Sequence, residues 1–144
     1  MKFLDANIFI YAYYKPKKKL TENEKIMKIN SQEIIRKINN GEEVVTSVVH
    51  LSEVSNILKK AMQLNNLQIL LLSLNSKPNI SIIDVTKEDY LLAIDHMQDF
   101  QLDPNDCLAL ELMERENIKE IYSYDSGFEN IKHIRRLPNK PKIR

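Results

Sequence analysis

Four acidic residues lie where strands give way to helices or where helices begin: Asp5, Glu53, Asp106 and Asp125. Asp5 follows the apolar start of the chain, and Asp125 follows a second short apolar run at 121–124. Side chains at the carboxyl ends of strands gather in one crevice of an open α/β sheet, so we expect these acids to meet. Crowded carboxylates repel each other until a proton or a cation relieves the repulsion. Because oxygen-only clusters suit Mg²⁺ or Mn²⁺, the four acids predict a metal-dependent phosphodiesterase site.

Most of these acids also have an ordinary structural explanation. Glu53 fits a surface glutamate, or one that is hydrogen-bonded to His50 a turn earlier. Asp106 fits the third position of a helix cap begun by Asp103, and Asp103 itself is more typical of a cap than of a metal ligand. Asp125 fits an Asx turn into the Ser-Gly pair that follows it. The coincidence of four acids at strand ends and inward helix faces nevertheless favours one shared site.

Composition excludes several other kinds of chemistry. The 144 residues include only two glycines, too few for a dinucleotide fingerprint or a glycine-rich phosphate loop. A single cysteine, Cys107, excludes an internal disulfide, and the three histidines lack the spacing of metal ligands. The net charge of +1 does not indicate a protein that coats nucleic acid indiscriminately. With no secretion signal and no apolar segment of spanning length, we expect a soluble cytoplasmic protein without a membrane contact.

The hydrophobic pattern predicts one domain in which strands and helices alternate, which is typical of a mostly parallel sheet covered on both faces. Strands are predicted at the opening residues and at 44–46, 80–83 and 118–124. Helices are predicted at 7–14, from the capping box at 21–24 to Gly41, from Val48, at 67–74, from Thr86 through Met97, and at 103–116. A turn at 126–127 leads into a short tail.

The motifs around the acids resemble those of PIN-domain ribonucleases. They are Asp-Ala-Asn at 5–7, Leu-Ser-Glu-Val at 51–54, Pro-Asn-Asp-Cys-Leu-Ala at 104–109 and Ser-Tyr-Asp-Ser-Gly-Phe at 123–128. With the segment at 131–138, the resemblance covers nearly the whole chain and is greatest to the toxins of VapBC toxin–antitoxin systems. It implies a three-layer α/β/α domain over residues 1–144, with a short basic tail from about 138.

The resemblance also implies roles for individual residues. The four acids Asp5, Glu53, Asp106 and Asp125 would form a site for one or two Mg²⁺ or Mn²⁺ ions. Asn7 and Ser123 would be polar supports, and Asp103 would be an acid at the rim. The implied reaction is endonucleolytic hydrolysis of RNA that leaves a 5′ phosphate and a 3′ hydroxyl. The implied partners are a second copy of the chain and a small antitoxin protein whose tail fills the acidic site.

A second feature that suits RNA is a run of tyrosines and lysines after the first predicted helix. Aromatic rings there would stack on bases and ammonium groups would bind phosphates. The residues concerned are Tyr14, Lys15, Lys17, Lys18 and Lys19, with Tyr11 and Tyr13 just before them. The same segment also fits a solvated loop with one or two tyrosines packed in the core.

Two other functions stay open at this point. A non-catalytic PIN-like module would bind RNA or a protein and keep the acids for stability, and it would not need to bind Mn²⁺. A phosphatase of the haloacid dehalogenase type also begins with an acid after a strand. That class needs a second acid two residues later, where this chain has Asn7, so the sequence disfavours it.

Overall fold

The structure, a computed structural model, describes residues 1–14 and 18–139. Within those residues one five-stranded sheet has the order β3-β2-β1-β4-β5, and every neighbouring pair is parallel. The strands are β1 (Lys2–Leu4), β2 (Val44–Ser47), β3 (Ile80–Ile83), β4 (Glu120–Tyr122) and β5 (Arg135–Leu137). The first strand of the chain therefore lies at the centre of the sheet, between β2 and β4.

Helices connect the strands. They are α1 (Ala6–Tyr13), α2 (Glu22–Asn39), α3 (Val48–Leu58), α4 (Leu64–Ser76), α5 (Lys87–Asp95), α6 (Met97–Phe100), α7 (Pro104–Arg115) and a 3-10 helix (Ser126–Asn130). Thr21 and Glu24 form the predicted capping box of α2, and Thr86 and Asp89 form another at α5. Of the helices in the described part of the chain, none is both long and apolar enough to cross a bilayer.

The sheet buries both of its faces. Phe3, Val45 and Ile121 point into a core shared with α5, α6 and α7. Leu4 and Val44 point to the opposite side, into a core built with α1 to α4. Successive strand residues alternate between faces, and each face is apolar because helices cover both. The three-layer α/β/α architecture predicted from the sequence is therefore confirmed.

Three elements differ from the sequence prediction. Residues 135–137, predicted as part of a tail, form the edge strand β5, which hydrophobic periodicity misses because two of its three residues are arginines. The helix expected to run through Met97 ends at Asp95, and α6 follows as a separate short turn that stops where Gln101 takes a left-handed conformation. Helix α4 begins at Leu64, earlier than the apolar run alone indicated.

Candidate active site

Asp5 lies at the carboxyl edge of the sheet, directly after β1. Its backbone N donates to O of Tyr122 at 3.0 Å, which continues the pairing with β4. Its Oδ1 accepts a hydrogen bond from N of Ala6 at 2.8 Å, and its Oδ2 accepts one from Oγ of Ser123 at 2.6 Å. The residue is only 4% exposed, and burial raises the pKa of Asp5 to about 6 despite these bonds, with a contribution from the charge of Asp125.

Ser123 connects Asp5 to the rest of the crevice. Its Oγ accepts hydrogen bonds from N of Asp125 at 3.0 Å and from Nδ2 of Asn7 at 3.4 Å. Oδ1 of Asn7 in turn accepts from N of Tyr124 at 3.2 Å. Because the Ser123 hydroxyl has one proton and gives it to Asp5, its oxygen is available to both other donors. Ser123 thus bonds directly to Asp5, and Asn7 bonds to Ser123 and to the backbone that follows it.

Asp106 and Asp125 form a hydrogen-bonded carboxyl pair close to Asp5. Asp106 is 7% exposed, and burial strongly raises its pKa, with the bond to Asp125 and the charge of Asp5 adding to the rise. Asp125 accepts this bond, which lowers the pKa of Asp125. At neutral pH Asp106 therefore carries the proton and Asp125 the charge. Such a shared proton is one of the two ways to relieve carboxylate crowding.

The capping interactions exist alongside this cluster and do not replace it. Oδ1 of Asp103 accepts from N of Asp106 at 2.8 Å and caps α7, while its charge raises the pKa of Asp5 and Asp106. Oδ1 of Asp125 accepts from N of Gly127 at 2.8 Å in an Asx turn. A Cβ on Gly127 would lie 2.4 Å from Cδ2 of Leu102, so a larger residue here would have to displace the end of the Leu102 side chain.

Glu53 lies in an open groove that is also lined by Ser52, Tyr90 and Asn105, and Asn105 directly precedes Asp106 in the chain. Its Oε1 accepts a hydrogen bond from Nδ2 of Asn105 at 3.0 Å. The partner of Glu53 is therefore Asn105, and the alternative in which Glu53 bonds to His50 is wrong. Sequence reasoning missed Asn105, whose only signal is its place directly before Asp106.

His50 is a buried structural residue with a defined tautomer. Its Nε2 lies 3.1 Å from the backbone O of Asn105, and its Nδ1 lies 2.6 Å from Oγ of Ser47. A carbonyl can only accept, so Nε2 carries the hydrogen and Nδ1 accepts from the Ser47 hydroxyl. The residue is 1% exposed, and burial lowers the pKa of His50 to about 4. It is therefore neutral at pH 7, and both of its ring nitrogens are used in hydrogen bonds within the protein.

Arg136 is a second residue that the sequence did not single out. It is 7% exposed, and its Nη1 donates to the backbone O of Ser123 at 2.9 Å. Its Nε donates to Oε1 of Glu129 at 3.0 Å. The guanidinium charge also helps to lower the pKa of Asp125. A buried cation behind the crevice thus favours the ionised form of one of its acids.

The donor atoms of the crevice fit a divalent cation. Asp5, Asp106 and Asp125 offer only carboxylate oxygens, which hard ions prefer. As the side chains stand, no three His, Cys, Asp or Glu residues within 1–14 and 18–139 are arranged to hold a metal ion. In this arrangement Asp106 and Asp125 are bonded to each other and share a proton. A cation would take the place of that proton, and its affinity would rise with pH.

The tyrosine and lysine segment is described only in part. Lys15 and Lys17 lie outside the described residues, whereas Tyr14, Lys18 and Lys19 are exposed. Nζ of Lys28 donates to O of Tyr14 at 3.1 Å and fastens the end of α1 to α2. Tyr11 packs edge to face on Tyr124, with ring centroids 5.3 Å apart. One tyrosine is thus a packing residue, and an exposed ring and two ammonium groups face solvent.

Comparisons with known proteins place the chain among related folds. A family model for the PIN domain matches residues 2–134, whereas no curated protein matches the chain. Mycobacterium tuberculosis VapC20, a toxin that cleaves the sarcin–ricin loop, is 14% identical with a TM-score of 0.67, covering 94% of this chain and 99% of its own. A toxin–antitoxin complex from Klebsiella pneumoniae is 14% identical with a TM-score of 0.64, covering 93% and 95%. VapBC2 from Rickettsia felis, bound to promoter DNA, is 18% identical with a TM-score of 0.62, covering 94% and 96%.

Proposed function

The chain belongs to the PIN-domain family, and from that membership we propose that it is a Mg²⁺- or Mn²⁺-dependent endoribonuclease and the toxin of a toxin–antitoxin pair. The observation that carries the proposal is the hydrogen-bonded Asp106–Asp125 pair beside the buried Asp5. Three carboxyl groups are brought together at the carboxyl edge of a parallel sheet, where α/β proteins bind their ligands. A cluster built only for stability gains nothing from this crowding.

The residues of the crevice would have different roles in the proposed reaction. Asp5, Asp106 and Asp125 would hold the cation, and Asp106 would give up its proton when the cation is present. Ser123 and the backbone N of Ala6 keep the Asp5 carboxylate in one orientation. When bound, the cation supplies a water of lowered pKa and offsets charge on the phosphoryl oxygens. We assign Glu53 to orienting the attacking water, because its carboxylate is held by Asn105, the residue next to Asp106.

The similar structures support a proposal for the substrate and the partners. One is described as a toxin that cleaves the sarcin–ricin loop, and another as a toxin–antitoxin complex. We propose by analogy that this chain cuts single-stranded or looped RNA, forms a homodimer in the cytoplasm and is held inactive by a small antitoxin protein. The exposed Tyr14, Lys18 and Lys19 would contact the RNA beside the crevice.

The proposal is tested by incubating purified protein with folded RNA in Mg²⁺ or Mn²⁺ and mapping the ends of the products. The wild type should yield 5′ phosphates, and Asp5→Asn should be inactive. Asp95→Asn, at an exposed position on α5, is the matched control and should cut normally. Full activity in Asp5→Asn would overturn the assignment. RNA binding without cleavage, together with no Mn²⁺ uptake by the wild type, would identify the non-catalytic PIN-like module instead.

A further inference from the structure

Asn105 makes three hydrogen bonds and lines the groove that also contains Glu53 and Tyr90. Its backbone O accepts from Nε2 of His50 at 3.1 Å, and its Oδ1 accepts from the hydroxyl of Tyr90 at 2.9 Å. Its Nδ2 donates to Oε1 of Glu53 at 3.0 Å. The three partners come from α3 and α5, while Asn105 belongs to the first turn of α7, next to Asp106. The side chain of Asn105 thus links helix α7 to helices α3 and α5.

The orientation of this amide is determined by its two partners. An ionised Glu53 carboxylate can only accept, so the NH₂ side of the amide must face it. The carbonyl side then faces Tyr90, whose hydroxyl can donate. Asparagine supplies one donor and one acceptor in a rigid fork, which matches these partners. Aspartate at this position would set a like charge against Glu53, and alanine would remove both bonds.

We propose that Asn105 is a positioning residue that fixes the Glu53 carboxylate relative to Asp106, and that the hydroxyl of Tyr90 sets the orientation of its amide. The inference rests on the nuclease function proposed above, in which Glu53 acts on the attacking water. Asn105 itself need not touch RNA. Its effect on the reaction passes through Glu53, because its side chain bonds to that carboxylate. A displaced carboxylate loses alignment with the reacting atoms, and small displacements of this kind lower rates steeply.

The first test is a double-mutant cycle on cleavage at saturating RNA. Asn105→Ala and Glu53→Gln should each lower kcat by about 10- to 100-fold, with much smaller changes in KM. The double variant should be no slower than the slower single variant, because both changes remove the same contribution. Tyr90→Phe should lower kcat to a smaller extent, whereas Tyr122→Phe should leave it unchanged. Tyr122 is a matched control because its hydroxyl donates to Glu42 in a separate interaction. Effects of Asn105→Ala and Glu53→Gln that simply multiply would overturn the proposal.

The second test does not depend on nuclease activity. Asn105→Asp should lower the urea midpoint of unfolding, since it opposes two carboxylates. In the Glu53→Gln background the same change should lower the midpoint much less. Position 53 then carries the amide and position 105 the carboxylate, so the hydrogen bond between them can form again. Equal decreases in both backgrounds would overturn the pairing. If the wild type fails to cut RNA, the nuclease proposal fails by itself, and the midpoints still decide whether Asn105 holds Glu53.

Discussion

The hydroxyl of Ser123 donates to Oδ2 of Asp5 across 2.6 Å, although the two residues are 118 positions apart in the chain. They meet because each directly follows one of two neighbouring parallel strands, β1 and β4, which pair in register through Leu4 and Tyr122. The bond is charge-assisted and lies in a buried crevice, where such bonds are strong. Ser123 therefore stabilises the negative charge that burial of Asp5 opposes.

Replacing Ser123 by alanine should destabilise the protein and impair the site together. The buried Asp5 carboxylate and the Asn7 amide would each lose a partner, at a cost of about 1–3 kcal/mol in the free energy of unfolding. The measurement is urea denaturation in EDTA, with RNA cleavage assayed in parallel. Ser76→Ala, which removes an exposed hydroxyl bonded to O of Ser73, is the control and should change little. An unchanged unfolding free energy in Ser123→Ala would contradict the interpretation.

Asp106→Asn should separate stability from metal binding. In EDTA the amide of asparagine can donate to Asp125 as the protonated Asp106 does, so the free energy of unfolding should stay within about 1 kcal/mol of the wild type or exceed it. Mn²⁺ affinity and RNA cleavage should both be lost, since a hard oxygen ligand has been neutralised. Titration with Mn²⁺ and urea denaturation provide the two measurements. Wild-type Mn²⁺ affinity in this variant would exclude Asp106 as a ligand.

The pH dependence of stability should isolate Asp5. Burial raises the pKa of Asp5 from 3.8 to about 6, so its contribution to stability is fully present below pH 3.8 and is lost as the pH rises through 6. His50 acts in the opposite direction, because burial lowers its pKa from 6.5 to about 4 and its contribution is lost as the pH falls through 4. The dependence of wild-type stability on pH therefore contains opposing contributions from Asp5 and His50.

The contribution of His50 cancels when the free energy of unfolding of the wild type is subtracted from that of Asp5→Asn at each pH. In EDTA, the free energy of unfolding of Asp5→Asn relative to the wild type should increase by about 2 kcal/mol between pH 4 and pH 6.5. Urea midpoints measured at half-unit intervals of pH provide the curve, provided that the slope of the transition is constant. A difference that does not change with pH would mean that Asp5 is ionised throughout this range.

The lysines after α1 should contribute to RNA affinity and not to cleavage. Lys18→Ala combined with Lys19→Ala, in an Asp106→Asn background that prevents cutting, should weaken RNA binding. It should also lower the salt dependence of binding by about 0.7 per lost phosphate contact. Lys59→Ala with Lys60→Ala, two exposed lysines after α3, is the matched control. Unchanged affinity and slope would assign the loop to solvent or to a protein partner.

The sequence predicts the parts of the site that depend on local rules. Asp5 and Asp125 were located because they end strands, and Asp103 was recognised as a cap because proline follows it. Asn105 and Arg136 were missed because their partners come from helices and strands distant in sequence. Hydrophobic periodicity does not indicate which side chains of different elements contact each other. Strand β5 was not predicted for a related reason. It is stabilised by pairing with β4 and by the hydrogen bonds of Arg136, whereas its three residues have little apolar character.

The central place of β1 has a consequence for the timing of synthesis. Strand β1 is made before helices α2 to α6, whereas its neighbour β4 and the acids Asp106 and Asp125 are made only after them. Contacts of such long sequence separation form late in folding. A growing polypeptide that lacks Asp125 has no complete set of crevice carboxylates. If the protein is the ribonuclease proposed here, it cannot attack RNA near the ribosome until synthesis has passed Asp125.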